Sequence, residues 1–324
     1  MENEKIKNNE KYLQFEGKVL DDRYVLEKLI GVGGMAVVFR ARDLYVNNTT
    51  VAIKMLKEDV CGNETVVKRF KNESRAERML VHPNIVGVYD VSVKGEIKYM
   101  VMEYVNGVTL KKYLNAKKEP LSLDEIISYT MQILKALILA HENSIIHRDI
   151  KPQNIMVLES GQIKVMDFGI AKVPNTETVT VNDKAIGTVY YMSPEQANAA
   201  PVDSRSDIYS LGAMLYEIST GTTPFKGDSA VAILMKHIKE TPIPPRQLNP
   251  DIPIGLEQII LCAMSKKPND RFESAREMYD YVKKLQQNKK IRFEKLPCDS
   301  VIGSFFGRLK RKFSKKKGKD GKKK

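Results

Sequence analysis

Twenty-three residues, from His147 to Gly169, constrain this chain more than any other stretch. They open with His147-Arg148-Asp149-Ile150-Lys151-Pro152-Gln153-Asn154 and close with Asp167-Phe168-Gly169. Asp149 is placed to accept a proton from a hydroxyl. Lys151 can neutralise a transferring phosphoryl group, and Asn154 and Asp167 supply hard oxygen ligands that suit Mg²⁺. Either tripeptide alone occurs by chance. Here the two aspartates stand 18 residues apart with Lys151 and Asn154 in register, which leaves little room for a purely structural reading. The set describes a site that moves the γ-phosphoryl of ATP onto an alcohol.

At 324 residues the chain is long enough for one two-lobed unit or two small domains. Its cysteines, Cys61, Cys262 and Cys298, are odd in number and far apart, which argues against a disulfide framework or a zinc site and for a reducing compartment. The charged start Met1-Glu2-Asn3-Glu4-Lys5 is followed by no apolar run, so it does not read as a secretory signal. No stretch approaches the 18 or so apolar residues of a membrane span. Net charge is +13, but Arg308 to Lys324 carries eleven basic residues against Asp320 alone. The body is therefore near neutral and the basicity belongs to the tail, which is no argument for a specific nucleic-acid-binding fold.

Turn-bounded, β-branched runs predict strands at Tyr24–Ile30, Ala36–Ala41, Thr50–Leu56, Ile85–Val91 and Lys98–Glu103. One helix is expected among them, over Glu64–Leu80. Beyond Glu103-Tyr104-Val105-Asn106-Gly107 the chain turns helical. Ser122 and Glu125 fit a capping box ahead of Ile126, Ile127, Met131, Leu134, Leu137 and Ile138. Further helices are expected at Asp203–Thr220, Asp228–Lys239, Ile254–Met264 and Ser274–Gln287. The fold class is α+β, with a small β-rich lobe carrying one helix and a larger, mainly helical lobe. The division is a flexible leader over 1–21, a two-lobed domain over 22–287 and a basic tail over 288–324. Within the domain the small lobe runs to about 102, a hinge covers 103–107 and the large lobe covers 108–287. In the tail, Ile302, Phe305, Phe306, Leu309 and Phe313 recur at steps of three and four opposite Lys and Arg, the pattern of an interfacial helix.

These motifs resemble the eukaryotic-like protein kinase superfamily, in its serine/threonine branch. Gly31-Val32-Gly33-Gly34-Met35-Ala36, Ser193-Pro194-Glu195-Gln196-Ala197 and Asp207-Ile208-Tyr209-Ser210-Leu211-Gly212 look most like the cytoplasmic kinase domain of bacterial PASTA-domain receptor kinases. The resemblance covers Arg23 to Leu285 and implies a bilobal kinase fold. It makes Asp149, Lys151, Lys54 and Glu73 the catalytic set, with a Lys54–Glu73 ion pair holding the lysine against the α- and β-phosphates. It places the nucleotide among Ile30, Gly31, Gly33, Gly34, Val38, Ala52, Met102, Glu103, Val105 and Met156, and the metal on Asn154 and Asp167. A glycine-rich turn alone is weak evidence. A strand follows this one, which excludes a Rossmann fingerprint.

The resemblance also implies that Thr188 bonds Asp149 and Lys151 at the substrate site. Glu195 would pair with Arg271, and Asp207 would anchor the catalytic loop. His147 reads as a core histidine packed near Phe168. Arg148 calls for an anion, and Thr180 and Thr178 are the expected activation-segment phosphosites. Two departures stand out. The family's second phosphosite falls on Asn182, and Glu77 occupies a position that is usually apolar. Glu77 must therefore find a partner, or its helix docks loosely.

The resulting expectation is an autophosphorylating protein serine/threonine kinase using ATP and Mg²⁺, with Mn²⁺ able to substitute. A pseudokinase scaffold is the alternative from another class, and a small-molecule phosphotransferase is a third. Every catalytic position is filled, which argues against the first; Ser193-Pro194-Glu195 and the long activation segment argue against the second. Expected partners are protein substrates, a second copy through the small lobe, and an anionic membrane surface through Ile302–Lys324. The expected location is cytoplasmic, at the inner face of the plasma membrane.

Overall fold

The strand Thr49–Leu56 has buried side chains on both of its faces, so the sheet that contains it needs cover on both sides. The computed structural model describes residues 10–117, 120–168 and 189–298. Its small lobe is a sheet of six strands: β1 (Val19–Leu20), β2 (Tyr24–Val32), β3 (Ala36–Asp43), β4 (Thr49–Leu56), β5 (Val88–Ser92) and β6 (Tyr99–Glu103). The spatial order is β1-β2-β3-β4-β6-β5, and all pairings are antiparallel. After β4 come a short helix α1 (Glu58–Cys61) and the long α2 (Glu64–Glu77), which is capped by the Asn63 side chain.

α2 covers one face of the sheet, where Phe70 packs with Ala52, Leu56, Met100 and Met102. The other face carries Val37, Phe39, Val51, Ile53 and Met55. It is covered by the chain's own N-terminal segment, whose Tyr12, Phe15 and Leu20 are buried there. The leader expected over 1–21 is thus folded from residue 10 onward. Two aromatic rings in a polar context are enough to seat it, and a Lys11–Glu58 ion pair at 2.8 Å ties it to α1. Residues 1–9 lie outside the described residues.

A three-stranded sheet of β7 (Gly107–Thr109), β8 (Ile155–Leu158) and β9 (Ile163–Val165) sits at the junction with the large lobe. Gly107 has no room for a side chain, because a Cβ there would stand 2.4 Å from the Val157 carbonyl oxygen. The hinge strand therefore closes tightly on β8. The lobes are also stitched by Val86 N–H to the Val165 carbonyl at 2.9 Å and Val165 N–H to the Asn84 carbonyl at 2.8 Å. This pairing takes Ile85 and Val86 away from the strand expected at Ile85–Val91, which forms as β5 and starts at Val88.

The large lobe is built on α4 (Leu123–Glu142), which follows α3 (Leu110–Ala116). The expected capping box forms in full, with Ser122 and Glu125 each bonding the other's backbone N–H. Then come α5 (Pro194–Ala197), α6 (Arg205–Thr220), α7 (Ala230–Lys239), α8 (Pro245–Leu248), α9 (Ile254–Ala263) and α10 (Ala275–Gln287). α6 is buried along nearly all its length, and Gly212 lets α9 approach closely at Ala263. The large lobe continues past 287, where the tail was expected to begin. Phe293, Leu296 and Cys298 are buried, and the Gln258 side chain bonds the Phe293 backbone N–H and carbonyl, each at 2.9 Å. Residues 299–324 lie outside the described residues.

Phe15→Ala is expected to destabilise the small lobe by about 3–5 kcal/mol, the usual cost of emptying a buried aromatic site. Urea denaturation is the check. A loss below about 0.5 kcal/mol, typical of a surface position, would contradict the seated N-terminal segment.

Candidate active site

The loop 147–154 is shaped by one buried carboxylate. Asp207, with no solvent exposure, accepts the His147 N–H at 2.8 Å and the Arg148 N–H at 2.7 Å, and pairs with His141 Nε2 at 2.9 Å. Arg148 is held at φ +64°, a left-handed conformation that non-glycine residues rarely adopt. Gln196 from α5 donates to the Arg148 carbonyl at 2.9 Å. His147 is fully buried. Its Nε2 sits 3.0 Å from the Met166 carbonyl while its Nδ1 accepts the Asp149 N–H at 3.2 Å. These two bonds require a neutral ring protonated on Nε2. The ring packs on Phe168 with centroids 4.6 Å apart, which is the structural role expected for it.

Asp149 is aimed by its neighbours. Asn154 Nδ2 donates to its Oδ2 and to its backbone carbonyl, each at 2.9 Å. The Lys151 ammonium lies 2.8 Å from the same carboxylate oxygen. Asn154 spends its amide nitrogen on Asp149, so its oxygen is the atom left to serve a cation. The Met166 N–H donates to the Asn154 carbonyl at 3.0 Å, coupling this loop to Asp167. Asp167 has φ +59°, the second non-glycine residue of the site in the left-handed region. Its Oδ1 lies 2.7 Å from Lys54 Nζ, a bond that spans the two lobes.

Glu73 stands half-buried on α2. Burial works to lower the Lys54 ammonium pKa, but Asp167, Glu77 and Glu73 outweigh it, so the lysine is firmly protonated. Lys54 is hydrogen-bonded to Asp167, and Glu73 adds its field. One amide oxygen and one carboxylate fit Mg²⁺ by donor chemistry, and a cation on Asp167 would take the place that Lys54 holds there.

The strand register gathers the expected nucleotide residues. Gly31 lies opposite Val38, Val38 opposite Lys54 and Ala52 opposite Met102. Val38, Ala52, Met102 and Val105 share one apolar cluster with Met166. Ile30 is exposed at the rim, and the turn through Gly33 and Gly34 is closed by Gly33 N–H to the Ala36 carbonyl at 2.8 Å. The alternation of β8 buries Ile155 and Val157 and leaves Met156 half-buried on the opposite face. Glu103 spends its N–H on the Gly87 carbonyl at 2.8 Å, and its side chain pairs with Lys164 at 2.9 Å. That last pair is not legible in the sequence, because nothing local links residues 61 positions apart.

Glu195 and Arg271 form a bidentate pair at 2.7 and 2.8 Å. Arg271 is fully buried, and it also donates to the carbonyls of Arg205, Ser265 and Lys266. Ser206 adds a hydroxyl donor to Glu195. Thr178, Thr180, Thr188 and Gly169 lie outside the described residues.

A strand-rich lobe and a helical lobe bridged by Lys54 and Asp167 define the architecture of the protein kinase class. The protein kinase domain family matches residues 24–284. A probable serine/threonine-protein kinase of Clostridium acetobutylicum is 47% identical over 272 residues, covering 84% of this chain and 41% of that protein. The serine/threonine-protein kinase PrkC of Bacillus subtilis is 43% identical over 262 residues, covering 81% of this chain and 40% of its own length. The chain thus spans about two fifths of the length of these relatives. The solved kinase domain of Mycobacterium tuberculosis PknI superposes with a TM-score of 0.66 at 24% identity, covering 84% of this chain and 98% of that one, and shows the fold. The chain belongs to the protein kinase family.

Burial works to raise the Glu195 carboxyl pKa, and Arg271 and Ser206 outweigh it, so the group sits below its ordinary value of 4.5. Its contribution to stability is therefore complete above pH 4.5 and lost as the pH falls below it. Glu195→Ala is expected to cost about 3–5 kcal/mol at neutral pH, because Arg271 is left buried and unpaired. Denaturation at several pH values should show this gap narrowing in acid. A gap that is small, or that does not depend on pH, would contradict the assignment.

Proposed function

We propose that the domain is catalytically active and phosphorylates serine and threonine in proteins, its own activation segment included. The observation that carries this reading is the connected set Lys54, Asp167, Asn154, Asp149 and Lys151, with no expected catalytic position replaced. Asp149 orients the substrate hydroxyl and takes its proton, while Lys151 beside it steadies the charge on the transferring group. Lys54, supported by Glu73, holds the α- and β-phosphates once Asp167 turns to the cation.

Val38 and Ala52 cover the adenine from one side and Met156 from the other, with Met102 at the back. The Glu103 carbonyl and the Val105 N–H are the hinge groups for its edge, and Ile30, Gly31, Gly33 and Gly34 close over the phosphates. Asn154 and Asp167 would hold Mg²⁺ or Mn²⁺, which when bound neutralises phosphate charge. The protein's share of the rate is positioning and preorganised charge.

Asp149→Asn is expected to lower kcat by about 10²–10³ or more while leaving the melting temperature unchanged. Retention of more than about a tenth of wild-type kcat would remove Asp149 from this role. Mass spectrometry after incubation with Mg²⁺ and ATP should find phosphate on Thr180, and on Thr178 as a second site. Arg148 motivates this, because its guanidinium can donate charge-assisted hydrogen bonds to a phosphate. Fully active enzyme without phosphate between Ile170 and Met192 would rule the sites out.

Two partner readings accompany the activity. The β3–β4 turn exposes Leu44, Tyr45 and Val46 together, an apolar tip that suits contact with a second small lobe. Ile302–Lys324 combines an apolar stripe with basic side chains, which suits the anionic inner face of a membrane, with the kinase domain on the cytoplasmic side. Among the described residues, no helix is long and apolar enough to cross a membrane. The protein is expected to co-sediment with anionic vesicles and not with neutral ones. Equal pelleting with both, or no effect of deleting Ile302–Lys324, would exclude the membrane contact.

A further inference from the structure

Lys164 is a cation that the proposed mechanism does not use. It sits in the middle of β9 between Ile163 and Val165, both fully buried, so its side chain leaves from the opposite face of the strand. Its cross-strand neighbour on β8 is Met156, and Asp167 follows it three residues later. The Lys164 side chain is 11% exposed. An ammonium at that depth is tolerated when it is paired. This one reaches the hinge: its Nζ lies 2.9 Å from Glu103 Oε2 and 3.4 Å from the Ile85 carbonyl oxygen.

Glu103 is clasped from a second side. The Gly87 N–H donates to the same Oε2 at 3.2 Å, and the Glu103 N–H donates to the Gly87 carbonyl at 2.8 Å. Behind Glu103 lies a cavity of about 400 Å³, lined also by Leu80, Val81, Ile85 and Tyr89. Packing on that side therefore does not fix the residue, and its polar contacts must. We infer that Lys164 is a positioning residue for the nucleotide: by pinning the Glu103 side chain to β9 it fixes the hinge backbone that meets the edge of the adenine. The inference rests on the proposed kinase reading and deepens it. Lys164 joins the hinge, the Met156 side of the adenine site and the strand that leads to Asp167. The pair also bears on the choice of base. Adenine carries an amino group where guanine carries a carbonyl oxygen, so a fixed Glu103 carbonyl accepts from the first and repels the second. A hinge free to shift loses part of that discrimination.

The test titrates ATP and GTP against the purified chain and compares wild type with Lys164→Met and Lys164→Arg. Lys164→Met should raise the Kd for ATP about 3–10-fold, the worth of one oriented hydrogen bond. Its Kd for GTP should change by less than about twofold, so the preference for ATP shrinks. Its kcat should stay within about threefold of wild type, because Asp149 and Lys151 keep their contacts. Lys164→Arg keeps the charge and should hold the Kd for ATP within about twofold of wild type. Hydrogen exchange of the Gly87 amide should be faster in Lys164→Met than in wild type or Lys164→Arg, a readout that needs no nucleotide. Should Lys164→Met fold poorly, Lys164→Gln gives the same comparison.

Three results would overturn the inference: a wild-type Kd for ATP in Lys164→Met, an equal loss of ATP and GTP binding, or a Lys164→Arg variant as weak as Lys164→Met. A wild type that binds no ATP, with a Gly87 amide that still responds to Lys164→Met, would instead sink the kinase reading and leave the anchor standing.

Discussion

The loop that carries the proposed catalytic residues depends on the buried carboxylate of Asp207. A carboxylate with no access to water is tolerated only when its oxygens are saturated. The donors that saturate this one are the backbone N–H groups of His147 and Arg148, with His141 beside them. Those bonds hold Arg148 in its left-handed conformation, and the chain leaves that bend at Asp149, which meets Asn154 and Lys151. α6 supplies Asp207 from its first turn, and α6 is the most deeply buried helix of the large lobe. The placement of Asp149 is thus inherited from the hydrophobic core.

The second constraint is electrostatic and crosses the cleft. Lys54 comes from the small-lobe sheet and Asp167 from the segment after β9, and they meet at 2.7 Å. In the proposed function both serve a nucleotide and its cation, so binding would exchange one set of charge partners for another. Glu73 and Glu77 stand one turn apart on α2 and both act on this pair. Any movement of α2 therefore alters the field at Lys54 and Asp167 together. The N-terminal segment contributes indirectly, because its Lys11–Glu58 pair and the rings of Tyr12 and Phe15 steady the sheet and the short helix ahead of α2.

Much of this was legible in the sequence because it is local. The Ser122–Glu125 capping box, the core face of α4, the strand runs around Lys54 and the spacing of Asp149, Lys151 and Asn154 each lie within a few residues. What was not legible is long-range or hidden by composition. Glu10, Lys11, Gln14, Glu16 and Lys18 alternate with the apolar residues of this segment, so Tyr12 and Phe15 did not read as core. The signal was in β4, where Val51, Ile53 and Met55 face one way and Ala52 and Leu56 the other, a strand that needs cover on both sides. The basic residues beyond Arg308 likewise masked Phe293, Leu296 and Cys298. Partner choice was the other blind spot. Sequence paired Lys54 with Glu73, whereas the fold brings Asp167 to hydrogen-bonding distance and buries Glu77 nearby.

The central claim is that the cleft between Lys54 and Asp149 transfers phosphoryl groups to aliphatic hydroxyls. The most direct measurement incubates the purified chain with Mg²⁺ and ATP labelled on its γ-phosphate, then identifies the labelled amino acids in the chain and in an added basic protein. The account predicts phosphothreonine and phosphoserine, formed only when Mg²⁺ or Mn²⁺ is present. Absence of protein-bound label, or label carried chiefly by tyrosine, would contradict it.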